Sequence, residues 1–158
     1  MGQSLSNFYT ALKWIINVFN KHSINYQLVG GVAAYVYGSE RKINDIDFYI
    51  DFSELKKIHL EIKKFTTWGP LRWKDENWDI TFLKMVYRNQ KIEIGDITNC
   101  FIYSKKENRW IKQHIDLTDY NYAEVDKIAV KIMKKEKLIA YKSLLEREVD
   151  LQDIEQIK

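Results

Sequence analysis

A chain of 158 residues, 46% hydrophobic and 30% charged, has the size of one domain and enough apolar material for a core. Its 25 basic and 22 acidic residues leave a net charge of +3, too mild to argue for nucleic acid by itself. No run reaches the ~18 apolar residues of a membrane span, the N-terminus lacks the charged and apolar regions of a signal peptide, and the single cysteine, Cys100, rules out an internal disulfide framework and suits a reducing cytoplasm.

In chain order, Ser4 to His22 reads as an amphipathic helix, with Phe8, Leu12, Ile15, Ile16 and Phe19 at helical spacing and Ser4 or Ser6 as its cap. Tyr26 to Val29 is a short strand that ends on the pair Gly30-Gly31. A small-residue helix, Val32 to Tyr37, follows and stops at Gly38. After a polar turn, Ser39 to Asn44, the segment from Asp45 to Asp51 alternates as a strand does. Ile46, Phe48 and Ile50 would face a core, and Asp45, Asp47, Tyr49 and Asp51 the other side.

Two carboxylates two residues apart on one strand face repel each other unless a cation lies between them. Mg²⁺ suits an all-oxygen pair. A strand running through Gly-Gly into a helix lets backbone N–H groups approach a phosphate closely. Acidic pair and phosphate cradle together point to metal-assisted phosphoryl or nucleotidyl transfer.

The string Gly-Gly, a gap of about a dozen residues, then Asp45-Ile46-Asp47 resembles the signature of the nucleotidyltransferase superfamily. The fuller stretch from Gly30 to Asp51 is similar to its small branch, which holds lincosamide and aminoglycoside nucleotidyltransferases, minimal toxin–antitoxin members and AbiEii-type toxins. Where that branch has Arg-x-Thr-x-Asp-apolar-Asp, this chain has Ile43 in place of the Thr. The resemblance implies an α+β, polymerase-β-like fold with a mixed, mostly antiparallel sheet flanked by helices.

Ser53 is placed to cap a third helix, Glu54 to Phe65, with Leu55, Ile58 and Ile62 on one face. The stretch from Thr66 to Trp78 breaks the pattern. It holds the only proline, Pro70, and reads as a loop whose Trp68, Trp73 and Trp78 either cover the sheet edge or stack a base. Asp79 to Tyr87 and Lys91 to Thr98 read as a hairpin around Arg88-Asn89-Gln90. With Ile92 and Ile94 in the core, Glu93 faces the acidic side, and the resembling family carries a third acid on such a strand. Asp96 is the alternative if a bulge at Gly95 turns it round.

Phe101 to Asn121 offers two short strands without a settled pattern. Ile128 to Ile132 reads as the last strand. Lys134 to Arg147 and Asp150 to Ile157 read as helices, the first with Leu138, Ile139, Tyr141, Leu144 and Leu145 as its buried stripe. This tail also resembles the small branch at Lys142, Arg147, Asp150 and Asp153, with Val149 where a Lys is usual. Lys142 would reach a triphosphate or orient an acidic residue, while the other three are expected to be structural. His22, His59 and His114 lack metal-ligand spacing.

The expectation is one nucleotidyltransferase domain over residues 1–158, with a core at 4–132 and C-terminal helices at 134–158. It would move an NMP group from an NTP to an acceptor hydroxyl and release pyrophosphate. Asp45, Asp47 and Glu93 (or Asp96) would hold two Mg²⁺, or Mn²⁺, and Gly30, Gly31, Arg41, Lys42 and Lys142 would bind the nucleotide. Implied acceptors are a small molecule, a partner protein or tRNA, and implied assemblies are a homodimer or a paired toxin or antitoxin. The competing reading is a non-catalytic nucleotide- or partner-binding module.

Overall fold

The computed structural model describes residues 2–158, with side chains from residue 5 onward. Helix α1 (Gly2–Lys21) buries Leu12, Ile15, Ile16 and Phe19, the stripe read from their spacing. It begins ahead of both serines expected to cap it: Ser6 lies inside the helix, and the Ser4 side chain is outside those described.

Strand β1 (Tyr26–Val29) runs into α2 (Gly30–Val36) and the chain returns as β2 (Asp45–Ile50), antiparallel to β1. Ile46, Phe48 and Ile50 are buried, each contributing roughly 1.5–3 kcal/mol. A one-residue slip would drive Asp45 and Asp47 into that core, so the alternation fixes which face carries the acids.

The single helix expected over Glu54 to Phe65 is instead a broken run: 3-10 turns at Phe52–Lys57 and Lys63–Phe65 flank the short α3 (His59–Ile62). Ile58 leaves helical geometry with φ at −117°, which interrupts the run while Ile58 and Ile62 stay buried. Asp51, not Ser53, caps it, its carboxylate accepting from the Ser53 N–H at 2.9 Å.

The stretch read as a loop is a strand. β3 (Thr66–Lys74) pairs antiparallel with β4 (Trp78–Tyr87), and register shifts on either side of Trp68 absorb Gly69-Pro70. This is an edge strand, where a proline is tolerated because it owes no ladder bond on the open side. β4 continues into β5 (Gln90–Asp96) through Arg88 and Asn89, both at positive φ, and Tyr87 pairs with Gln90. That is the two-residue hairpin turn whose twist matches the strands.

β6 (Phe101–Ser104) and β7 (Arg109–Lys112) form a hairpin, as do β8 (Tyr120–Val125) and β9 (Ile128–Met133). Helices α4 (Lys135–Leu145) and α5 (Glu148–Ile157) close the described chain.

The sheet runs β7-β6-β4-β5-β2-β1-β9-β8, with β3 added to β4. It is mostly antiparallel; β1 with β9 and β2 with β5 are the parallel pairs. One face packs on α1. The other carries Val29, Tyr49 and Ile80 against Leu138, Tyr141 and Leu145 of α4 and Ile157 of α5. Those helices cover only part of that face and leave a cleft over the rest.

Candidate active site

One rung of paired residues crosses five strands beneath the cleft. Val29 pairs with Asp47, Asp47 with Glu93, Glu93 with Lys84, and Lys84 with Trp68. Paired residues share a face and stand about 4.8 Å apart from strand to strand. Asp45, two residues before Asp47, faces the same way. Asp45, Asp47, Glu93 and Lys84 all line a cleft of 480 Å³.

Gly30 closes one end of the rung. Its φ is +64°, and a Cβ there would collide with Asp47 Oδ2. No other residue lets the α2 entry and the Asp47 carboxylate share this space. The Gly30 N–H donates to the Tyr141 hydroxyl at 2.9 Å, so the amide read as a phosphate donor already has a partner. That follows from the fold: the first amides of α2 have no helical acceptor, and buried Tyr141 needs a partner for its hydroxyl. Above Gly31 lies the Arg41 guanidinium, its Nη2 3.1 Å from where a Cβ would be.

Arg41 belongs to a chain of charges joining the Ser39–Asn44 turn to α4 and α5. Asp153 accepts from Arg41 Nε at 3.0 Å and Nη2 at 2.8 Å, and from Ser39 Oγ at 2.8 Å. Lys142, only 2% exposed, lies 2.9 Å from Asp153 Oδ2 and 3.2 Å from Asp150 Oδ1. Asp150 in turn accepts from Arg147 Nε at 2.6 Å. Three cations thus meet two carboxylates, and Arg41, Lys142 and Arg147 all reach the cleft.

No family model matches the chain, and the comparison with curated proteins finds no match either. Solved structures do match. A Thermotoga maritima protein assigned as a nucleotidyltransferase, TM1012, superposes with a TM-score of 0.68 at 18% identity, over 85% of this chain and 82% of that one. The lincosamide antibiotic adenylyltransferase LnuA, in its lincomycin-bound structure, gives 0.62 at 15% identity over 92% and 93%. The antibiotic-resistance factor ANT(2'')-Ia gives 0.56 at 12% over 94% and 79%. The chain has the nucleotidyltransferase fold.

Within this nucleotidyltransferase fold the acidic cluster is under electrostatic tension. Burial, then the charges of Glu93 and Asp45, push the Asp47 carboxyl well above the usual carboxylate range. Burial and Asp45 also raise Glu93, with Lys84 and a hydrogen bond from Asp47 pulling the other way. Burial and mutual repulsion thus work against the charged form of both carboxyls, a tension that a further cation would relieve.

The donors are all carboxylate oxygens, the chemistry a hard divalent ion prefers. Among the described residues, no three acidic, histidine or cysteine groups form a ready-made metal cluster. Mg²⁺ does not require one, since it commonly takes one or two carboxylates and completes its shell with waters and substrate phosphates. Asp45, Asp47 and Glu93 therefore fit an ion that arrives with a nucleotide.

The other residues read from sequence fall elsewhere. Asp96 is not on the cleft; its Oδ1 accepts from the N–H groups of Phe52 at 3.1 Å and Thr98 at 3.2 Å. The pairing of β5 with β2 is unbroken from Lys91 to Asp96, so no bulge at Gly95 turns that acid round. Lys42 is exposed and does not line the cleft. Cys100 is fully buried beside Tyr49, and burial pushes its thiol up to about 11, which leaves it unreactive.

Lys84 and Tyr141 were not singled out from the sequence as site residues, whereas Trp73 and Trp78, two of the three tryptophans expected either to cover the sheet edge or to stack a base, do line the cleft. Lys84 was legible: a two-residue turn pairing Tyr87 with Gln90 sets Lys84 against Glu93. Tyr141 had no such signal, because its role depends on how α4 docks.

Proposed function

We propose that the protein is a Mg²⁺-dependent nucleotidyltransferase that moves a nucleoside monophosphate from an NTP to an acceptor hydroxyl. The observation that carries this reading is the adjacency of Asp47 and Glu93 on neighbouring strands beside Gly30, with Asp45 on the same face. The nearby cations offset these acids only in part, since the carboxyls of Asp47 and Glu93 stay raised despite Lys142, Arg147 and Lys84, and the same cleft brings three cationic side chains to its other wall.

Asp45, Asp47 and Glu93 would hold the divalent ion or ions, whose charge would offset that of the phosphates and of the reacting oxygens. The positive wall takes the triphosphate: Arg41, Lys142 and Arg147 line it, the Arg41 guanidinium lying directly over Gly31. Helix α2 has only two turns, so these side chains rather than its dipole supply most of the positive potential. The acceptor oxygen attacks the α-phosphorus, the bond from that phosphorus to the bridging oxygen breaks, and pyrophosphate leaves. Glu93, its carboxyl raised by burial and Asp45, is suited to take the acceptor's proton.

The acceptor is a small molecule, a partner protein or tRNA, in a resistance or toxin–antitoxin setting, and the protein works in the cytoplasm. Among the described residues, no helix is long and apolar enough to cross a membrane.

The test is pyrophosphate release from ATP, CTP, GTP or UTP with Mg²⁺ and candidate acceptors, beside calorimetric titration of each NTP with and without Mg²⁺. Release and Mg²⁺-dependent binding that both disappear in Asp47→Ala support the reading. Activity that survives Asp47→Ala, or binding indifferent to Mg²⁺, removes it.

A further inference from the structure

The far end of the rung, beyond Glu93, is built differently from the Gly30 end. Lys84 Nζ sits over three rings, 5.2 Å from the centroid of Trp73, 5.7 Å from Phe82 and 5.9 Å from Trp68. Trp68 packs edge-on to Trp73 at 5.8 Å and tilted to Phe82 at 5.1 Å, so the rings brace one another. Trp73 and Phe82 line the cleft together with Lys84 and Glu93. Trp73 is 39% exposed although it stands against a cleft wall, a large apolar surface left open at the site.

In-line displacement at phosphorus places the attacking and leaving oxygens on opposite sides of the α-phosphate. With the triphosphate on the Arg41, Lys142 and Arg147 wall, the leaving group lies at the Gly30 end of the rung. The acceptor must then approach from the Lys84 end. We infer that Trp73 and Phe82, backed by Trp68, form the acceptor subsite, and that it takes a hydroxyl compound with a flat ring that is neutral or anionic, not a polycation.

The ring selects by stacking, which is tolerant of ring identity. The charge preference comes from Lys84, a fixed cation between the rings and Glu93. An acceptor carboxylate or phosphate can draw its ammonium off the rings, whereas a polycationic acceptor meets a like charge. Asp45, Asp47 and Glu93 are reserved for the ion in this reading, and Asp75, the carboxylate that lines the cleft beside Trp73, is already engaged by Trp73 Nε1 at 3.0 Å and by the N–H groups of Asn77 and Trp78 at 2.8 and 2.7 Å. This assignment of the acceptor end rests on the nucleotidyltransferase reading above.

The test uses three probes on the whole protein with a non-hydrolysable ATP analogue and Mg²⁺: 4-nitrophenyl β-glucoside (neutral), 4-nitrophenyl β-glucuronide (anionic) and kanamycin (polycationic). The nitrophenyl probes are followed by quenching of tryptophan fluorescence, kanamycin by calorimetry. The glucuronide should bind at least as tightly as the glucoside, and both at least ten-fold more tightly than kanamycin. Trp73→Ala should weaken both aryl probes at least ten-fold and leave the analogue's calorimetric affinity within two-fold, with Trp73→Phe recovering most of the loss. Phe82→Leu should reproduce the loss on the neighbouring ring.

Aryl binding that is absent, or unchanged by Trp73→Ala, overturns the proposal, as does kanamycin binding equally well. So does a Trp73→Ala variant that loses the analogue and keeps the aryl probes, since the rings would then hold the base. Should the analogue fail to bind the wild type while the aryl probes still bind through Trp73, the nucleotide reading is what fails.

Discussion

Asp47 Oδ2 occupies the space that a side chain on Gly30 would enter, and it does so where the Gly30 backbone is left-handed. Gly30, unlike Gly31, is therefore a structural requirement of the acid pair as much as a feature of the strand-to-helix turn. Gly30→Ala should cost about 2–3 kcal/mol, from backbone strain together with the displaced carboxylate. For a domain this size that is a fall in Tm of roughly 4–12 °C. A carboxylate moved by about 1 Å should also lower pyrophosphate release on the order of 100-fold. Gly31→Ala meets only the flexible end of Arg41 and should stay within about 1 kcal/mol. Thermal melts of the two variants decide it, and equal losses would contradict the account.

The acid cluster also sets a pH dependence with an unusual sign. Asp47 has a raised carboxyl in the folded state, so the native protein holds its proton more tightly than the unfolded chain does. Stability from this group is present below the unfolded carboxylate range and is lost as pH rises towards the folded value. Without divalent ions, wild type should therefore lose stability relative to Asp47→Asn as pH is raised from about 4. Millimolar Mg²⁺ should raise the wild-type Tm at pH 7.5, by the equivalent of about 2.7 kcal/mol at a hundred times its Kd. The same addition should leave Asp47→Asn nearly unmoved. Melts at several pH values with and without EDTA would show whether the two curves part as described.

Much of this site could be read before any coordinates, because strand parity is a strong constraint. Ile46, Phe48 and Ile50 in the core force Asp45 and Asp47 to the other face, and the same logic on Ile92 and Ile94 delivers Glu93. What parity cannot give is which strands are neighbours. That β5 lies beside β2, and that α4 brings Tyr141 to Gly30, depends on long-range packing. The segment from Thr66 to Trp78 misled for a local reason. Gly69-Pro70 is the usual mark of a loop, but β3 is an edge strand that accommodates it through register shifts. The helix expected from Glu54 failed at Ile58, where burying the apolar stripe against the sheet outweighed helical regularity.

The two acids on β5 should separate cleanly by mutation. Asp96 accepts two backbone N–H groups and touches no cleft residue named above, so Asp96→Ala should cost about 1–2 kcal/mol while transfer activity per folded molecule is kept. Glu93→Gln keeps the shape of the side chain and removes its charge beside Asp47. It should be as stable as wild type or more so in EDTA, and should lose activity by two to four orders of magnitude, the range for removing a general base. Denaturant midpoints and pyrophosphate assays on the same preparations test both. An inactive but stable Asp96→Ala protein would reverse the assignment.

Asp153 and Lys142 should behave unequally although they touch each other. Removing Lys142 leaves Arg41 with Asp153 and Arg147 with Asp150, two balanced pairs. Removing Asp153 leaves Arg41, Lys142 and Arg147 against Asp150 alone. Asp153→Ala should therefore be the more destabilising, by about 3–5 kcal/mol, because it strands charge in a buried setting. Lys142→Met fills a similar volume and should cost less than half as much. The acid limb of stability points to the same carboxylate: burial alone would raise Asp153, but the bonds from Arg41, Lys142 and Ser39 outweigh it and hold the group down at about 2. A depressed carboxyl stabilises above the unfolded value near 4 and loses that contribution as pH falls towards 2, here about 1–2 kcal/mol after allowance for solvent screening. Melts between pH 2 and 5 should show this loss in wild type and not in Asp153→Asn. If Lys142→Met folds as expected, its KM for NTP tells whether the buried ammonium contributes to triphosphate binding. A rise of ten-fold or more places it there, and an unchanged KM assigns it to the charge chain alone.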